Sequence, residues 1–288
     1  VVDVVQRTTV ALLLVLVAGC TDDSTPAADC PPSPFRSSPP KVIAHGGGEG
    51  LGPENTLIAM RRSMAAGADF LDVDVWMTSD GVVVARHDRD VSRTTDGTGN
   101  IDELTWDQLQ RLDAAAKWAG APIDEEVRIP SLEQVLTEFT DVTVSVEIKQ
   151  TEPAMSVQLC DVLERTGSVE RIYLSSNDDS AVYAAQAECP AATLITTTYA
   201  DLDARRAAEA AGEPWCAASP IGQPPWREGR FTADSVRRTH ERGSAVYTWT
   251  VDDPDVLREL AEVGVDGVYT RRPDIARQVF DEFAADQP

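Results

Sequence analysis

Residues 69–88 read Asp69-Phe70-Leu71-Asp72-Val73-Asp74-Val75-Trp76-Met77-Thr78-Ser79-Asp80-Gly81-Val82-Val83-Val84-Ala85-Arg86-His87-Asp88, and the parsing of this stretch decides the fold. Leu71, Val73 and Val75 alternate with Asp72 and Asp74, the period of a β-strand, so the apolar residues share one face and the acids the other. Paired acids on one strand face are costly unless solvated or bound to a cation. Thr78-Ser79-Asp80-Gly81 is a hairpin signal, and Asp80-Gly81 is expected to form a two-residue turn. That register pairs Ser79 with Val82 and sets Asp74 opposite His87. Cross-strand partners lie about 5 Å apart at Cβ, so His87 and Asp88 would reach the face that carries the acids.

Outward from this hairpin, short apolar strands alternate with helical patterns. Strands are expected at 42–44, 70–78, 82–87, 142–148, 171–174, 193–197, 215–218, 245–250 and 266–269. Helices are expected at 53–66, 132–139, 154–165, 180–187, 202–211, 233–242 and 254–263. Repeated β-then-α order argues for a parallel sheet with helices outside. Its length and count favour a closed (β/α)8 barrel, an α/β fold of the TIM type, over an open sheet. There are more candidates than eight staves. One is expected to be the outer arm of a hairpin and another a late, short strand near the C-terminus. The stretch 90–130 is long for a connection, and long loops at a barrel mouth are more often functional than idle.

The chain carries 48 acidic against 25 basic residues, a formal net charge of -23. Such a field repels nucleic acid, so no nucleic-acid partner is expected, and an anionic substrate needs a local source of positive charge. Near the N-terminus, Arg7 precedes an apolar run from Val10 to Ala18, shorter than the roughly 20 residues of a membrane-spanning helix. This pattern describes an export signal. Its end, Leu16-Val17-Ala18-Gly19-Cys20, resembles a bacterial lipobox, with an ordinary secretory signal as the alternative. The expected organisation is a signal over 1–19, a tether over 20–40 behind a lipidated Cys20, and a barrel domain over 41–288, exported and held at the membrane by the anchor. Cys30, Cys160, Cys189 and Cys216 allow two disulfides with three connectivities, or free buried thiols. Cys160 and Cys189 are the nearer pair within the barrel region.

Polar residues fall where barrel strands should end, the rim at which ligands gather. Ala44-His45-Gly46-Gly47-Gly48 closes the first strand, and Gly52-Pro53-Glu54-Asn55-Thr56 follows at a helix start, where backbone N–H groups favour an anion. Glu147 and Lys149 share one face of the strand Val144-Ser145-Val146-Glu147-Ile148-Lys149, suggesting a cation ligand beside a phosphate contact, or a plain ion pair. His240 lies in a helical pattern and is expected on the surface.

Taken in order, these segments resemble the glycerophosphodiester phosphodiesterase family. The carriers are His45-Gly46-Gly47 with Pro53-Glu54-Asn55-Thr56, Asp72-Val73-Asp74, Asp80-Gly81, His87-Asp88, Arg93-Thr94-Thr95-Asp96-Gly97-Thr98-Gly99, Ile129-Pro130-Ser131-Leu132, Glu147-Ile148-Lys149, Trp249-Thr250-Val251 and Gly264-Val265-Asp266-Gly267-Val268. The resemblance implies a barrel of the phospholipase-C-like phosphodiesterase kind. It implies His45 and His87 as catalytic residues, Asp72, Asp74 and Glu147 as ligands of a divalent cation, Ca2+ or Mg2+, and Lys149, Glu54 and Trp249 as substrate contacts. The implied reaction yields an alcohol and glycerol 3-phosphate, by way of a cyclic phosphate or by direct attack of water. Two positions depart from the family pattern. Its arginine after the first histidine is Gly46 here, with Arg86, Arg89 or Arg271 as candidate substitutes, and its glutamate is Asp72. Two alternatives stay open: lysophospholipids or sphingolipid-type esters as substrates, favoured by an apolar mouth built from Trp106, Trp118, Trp215 or Trp226, and a non-catalytic lipoprotein that binds a phosphorylated ligand.

Overall fold

In the computed structural model the residues described are 33, 35–194, 207, 211, 221–223, 232–241 and 243–287. Strand β2 (Phe70–Met77) carries the expected alternation. Leu71, Val73 and Val75 are buried in a large apolar layer with residues of α1 (Leu57–Ala65), α3 (Leu132–Glu138) and α4 (Ser156–Arg165). Asp72 and Asp74 are buried too, on the opposite face. A strand covered on both faces is the signature of a parallel sheet.

The hairpin differs from its expected register. β3 (Val83–Ala85) pairs antiparallel with β2 as Met77 with Val83, Trp76 with Val84 and Val75 with Ala85. The loop therefore holds three residues. Thr78 N–H donates to the Val82 carbonyl at 2.9 Å and Gly81 N–H to the Thr78 carbonyl at 3.0 Å. Gly81, at φ 86°, supplies the left-handed residue that a three-residue hairpin loop needs. The shift by one residue puts Arg86 beside Asp74, with its N–H 2.7 Å from the Asp74 carbonyl. His87 is therefore not the cross-strand partner of Asp74.

The remaining strands are β1 (Lys41–Ala44), β4 (Thr143–Ile148), β5 (Ile172–Ser175), β6 (Thr193–Leu194), β7 (Ile221–Gln223), β8 (Val246–Thr248) and β9 (Gly267–Thr270). With β2 they form eight parallel staves in the order β6-β5-β4-β2-β1-β9-β8-β7, and β3 hangs from β2 as the hairpin arm. The late strand β9, expected to be surplus, is a stave between β1 and β8. Ile43, Phe70, Tyr173, Tyr247 and Tyr269 from both halves of the sheet meet in one cluster, which requires the sheet to curl around a filled interior. The fold is of the (β/α)8 type.

Phe35 joins that cluster from below, its ring 4.9 Å from that of Tyr173 and its carbonyl accepting from the Tyr247 hydroxyl. The packed domain thus begins before Lys41, because an aromatic residue in the expected tether fills the barrel floor. His240 is also not a surface residue. It lies on α6 (Ala233–Glu241), and its Nε2 is 2.7 Å from the buried Asp266 carboxylate, which also accepts from the N–H groups of Ser37 and Val246.

Helix starts follow their caps. α1 begins at Leu57 rather than Pro53 because Asn55 takes φ 55° and Thr56 caps the helix through Ala59 N–H. α7 (Pro254–Val263) has Asp253 as its cap and ends at Gly264 in the left-handed region. α8 (Pro273–Ala285) lies beyond the expected helices. The stretch 90–130 is ordered around its own apolar cluster, including Val91, Ile101, Leu109, Val127 and Ile129, and contains a short helix α2 (Trp106–Leu109). Cys160 on α4 and Cys189, just after α5 (Asp179–Glu188), form a disulfide. Cys30, Cys216, the helix at 202–211, the strand at 215–218, Trp215 and Trp226 lie outside the residues described, apart from residues 207 and 211 of that helix.

Candidate active site

The C-terminal ends of the strands bring the expected side chains to one place. β1 ends at Ala44, paired with Leu71, so His45 emerges level with Asp72. Asp74 pairs with Glu147 across β2 and β4. Lys149 follows β4 and is fixed by its N–H to the Val75 carbonyl. His45, Asp72, His87, Glu147, Lys149, Trp249 and Tyr269 line a cavity of about 280 Å³, with Ser175, Ser176 and Asn177 along another wall.

Both histidines are held by Nδ1 against a carboxylate, leaving Nε2 as the nitrogen available for proton transfer. His45 Nδ1 lies 3.0 Å from Asp72 Oδ2. Burial by itself lowers its proton affinity. The hydrogen bond and charge of Asp72, with Asp74 and Glu49, outweigh this and carry the pKa up to about 9. His87 Nδ1 lies 2.7 Å from Asp88 Oδ1, and the Trp76 indole donates to the His87 carbonyl at 2.9 Å. The approach of His87 thus comes from the loop after β3.

The three acids proposed as cation ligands are neighbours but are engaged separately. Lys149 Nζ stands 3.0 Å from Asp74 Oδ1 and 2.6 Å from Glu147 Oε1, while Asp72 holds His45. Among the described residues no group of three or more His, Cys, Asp or Glu side chains converges as a metal cage. The donor chemistry nonetheless suits a hard cation, which takes oxygen ligands. Asp74 Oδ1 is buried and makes no hydrogen bond, although the Lys149 ammonium is in ion-pair contact with it. Burial raises the Glu147 carboxyl; Asp72 and Asp74 add to the rise and Lys149 opposes it. Lys149 itself is raised, because Asp74 and Glu147 outweigh its burial. The cluster is short of positive charge.

Asn55 is a site residue whose role sequence reading did not assign. Its Nδ2 donates to Asp74 Oδ2 at 2.8 Å and its Oδ1 accepts from Asp74 N–H at 3.2 Å. The signal was present: asparagine tolerates the left-handed backbone taken here. Asn177 donates to Glu147 Oε1 at 3.1 Å. Glu54 is not part of the cavity wall; it bonds Arg93. None of the three candidate arginines is free to replace the residue missing at Gly46. Arg86 is buried and bonds Thr94 and the carbonyls of Asp90 and Val91. Arg89 pairs with Asp102, and Arg271 with Asp252. Gly46 sits at φ 55°, so any side chain there is strained, although a Cβ would meet nothing closer than Glu54 Cγ at 3.4 Å. Trp249 is partly exposed at the mouth, in edge contact with Tyr269. Trp106 and Trp118 are not at the mouth: the former packs on the loop's own core, and the latter lines a separate surface hollow.

Comparison with known proteins places the chain. The model of the glycerophosphoryl diester phosphodiesterase family matches residues 45–275. A glycerophosphodiester phosphodiesterase of Caldanaerobacter subterraneus is 30% identical over 240 residues, covering 81% of this chain and 94% of that protein. One from Bacillus altitudinis is 27% identical, covering 84% and 98%. Among solved structures, an Oleispira antarctica phosphodiesterase in complex with the product sn-glycerol-3-phosphate aligns with TM-score 0.68 at 23% identity, covering 84% of this chain and 97% of that one. A glycerophosphodiester phosphodiesterase from Agrobacterium tumefaciens aligns with TM-score 0.65 at 24% identity, covering 83% and 99%. These structural likenesses are likenesses of fold.

Proposed function

The chain belongs to the glycerophosphoryl diester phosphodiesterase family, and from that membership we propose that it hydrolyses glycerophosphodiesters to an alcohol and glycerol 3-phosphate by two-histidine acid–base catalysis assisted by a divalent cation. The observation that carries the reading is that both histidines, each tied to a carboxylate by Nδ1, line the same cavity as Asp72, Glu147 and Lys149.

Asp72, Asp74 and Glu147 would hold the cation, Ca2+ or Mg2+, with Asn55 and Asn177 orienting Asp74 and Glu147. When bound, the cation supplies charge that neutralises a phosphate oxygen. The Lys149 ammonium adds a second positive contact to the phosphate. One imidazole takes the proton from the attacking hydroxyl through Nε2. The other returns a proton to the leaving alcohol oxygen as the P–O bond breaks. The attacking group is water or the glycerol 2-hydroxyl, the latter giving a cyclic phosphate that water opens. Trp249 at the mouth offers one apolar surface to the substrate. That exposed indole is the observation favouring a lysophospholipid as second substrate class. The signal over 1–19 and the lipid anchor at Cys20 belong to the same proposal: the substrate is met on the extracytoplasmic side of a membrane.

A panel of glycerophosphocholine and lysophosphatidylcholine, each with and without chelator, tests the reading. Chelator-sensitive release of glycerol 3-phosphate supports it; failure to cleave any glycerophosphodiester with cation present would overturn it.

A further inference from the structure

Four side chains form a line leading away from the cavity. His87 Nδ1 lies 2.7 Å from Asp88 Oδ1, and Asp88 Oδ2 accepts from Arg93 Nε. Arg93 Nη2 then reaches Glu54 Oε1 at 2.8 Å. Of the four, only His87 lines the cavity. Glu54 belongs to the turn before α1, and Arg93 to the loop after β3, 39 residues later. One guanidinium therefore joins two loops that the barrel strands do not connect.

The setting of His87 makes such a brace consequential. Its side chain is 45% exposed and follows the end of a three-residue strand, whereas His45 is only 25% exposed. Asp88 is itself partly exposed, and its side-chain hydrogen bonds among the described residues run to His87 and Arg93. A fork of planar donors that meets two carboxylates fixes its rotamer. Burial would raise the Asp88 carboxyl, but the hydrogen bonds from Arg93 and His87 outweigh that and hold it at about 2, so it stays anionic around neutrality. Glu54 is 8% exposed at its side chain, which gives the brace a rigid far end.

We infer that Arg93 is a positioning residue: clamped to the buried Glu54, it fixes the Asp88 carboxylate that grips His87 by Nδ1 and so turns Nε2 toward the phosphodiester. The inference rests on the catalytic role proposed for His87. Among the described residues no other guanidinium bonds Asp88 or Glu54: Arg89 is bound to Asp102, and Arg86, near enough to feel the charge of both acids, is bound to Thr94 and the loop backbone.

The test uses the full chain with Arg93→Met, Arg93→Lys and Glu54→Gln. Three quantities are measured: turnover of glycerophosphocholine, thermal melting, and the nitrogen-15 NMR signals of the His87 ring. Arg93→Met is expected to lower kcat about 10- to 100-fold, the scale of a misplaced catalytic group. KM should stay within about twofold, since no substrate contact is lost. The melting temperature should fall, because Glu54, buried at its side chain, loses its cation, so kcat is measured well below the transition, where the chain is folded. The ring signals should lose the mark of an Nδ1–H held by a carboxylate. Arg93→Lys should recover part of kcat, and Glu54→Gln should fall between wild type and Arg93→Met. Wild-type kcat in Arg93→Met, an unchanged His87 ring signal, or a loss that tracks unfolding and is equal in Arg93→Lys would each overturn the inference. A rise in KM alone would do so too, by making Arg93 a substrate contact. If the wild-type chain hydrolyses no diester, the functional reading fails, while the ring signals still report on the brace.

Discussion

The stations of His45 and His87 use one local chemistry in two settings. Each imidazole is held through Nδ1 by an aspartate, at 3.0 Å for Asp72 and 2.7 Å for Asp88. The His45 station grows out of the sheet: His45 directly follows β1, Asp72 sits inside β2, and the strand register sets their spacing. The His87 station grows out of a loop, and its ring is held through the side chains of Asp88, Arg93 and Glu54, with the Trp76 indole on the His87 carbonyl. A group carried by the sheet cannot move without moving the core, whereas one carried by a loop depends on each bond that ties it down.

This contrast can be broken most directly at the two rings. His45→Ala and His87→Ala should each lower kcat by roughly 10³-fold with the circular dichroism spectrum unchanged. Full turnover in either variant would break the two-histidine scheme.

The carboxylates come next. Asp72→Asn should cost roughly 10²- to 10³-fold in kcat, because it misaligns His45 and removes a proposed cation ligand. Asp88→Asn should cost about 10- to 100-fold, no less than Arg93→Met, because it weakens the grip on His87 through which Arg93 acts but removes no proposed cation ligand. Equal losses in kinetic assays would erase the distinction between the stations.

A third test addresses stability. Lys149→Met leaves Asp74, buried, without its ammonium and should destabilise the cation-free protein by about 3 kcal/mol in urea denaturation. Added Ca2+ or Mg2+ should return most of that loss. No recovery with either ion would count against the acid cluster as a cation site. The smallest effect is expected for Trp76→Phe, which removes the indole donor to the His87 carbonyl. A loss of about 1 kcal/mol, with His45 ring signals untouched, would localise that contact to the loop station.

Over the described residues the sequence carried much of the strand and helix order and the family, and several segment bounds proved close, although β7, α2 and α8 were not expected and α1 starts at Leu57 rather than Pro53. The strand expected at 142–148 spans Thr143–Ile148, and the helix expected at 254–263 has those same ends. Such features follow from period-two and period-3.6 patterns and from caps that act within a few residues. The hairpin register was not legible, because Asp80-Gly81 suits a two-residue loop and a three-residue loop with Gly81 left-handed equally well, and only the flanking pairing chooses between them. The Cys160–Cys189 bridge was one of several open possibilities, decided by how α4 and α5 pack together.

The alternation of Leu71, Val73 and Val75 with Asp72 and Asp74 determined by itself that the acids and the apolar residues would take opposite faces of one strand, since side-chain direction along a strand is a local property of the backbone. Tertiary structure alone decided what those acids meet: Lys149 between Asp74 and Glu147, Asn55 clamped on Asp74, and Phe35 filling the floor. Arg93 reaching Glu54 across 39 residues is of the same kind. These contacts join segments far apart in the chain, where no short-range period operates. They are set by which loops the curled sheet brings within a few ångströms of one another.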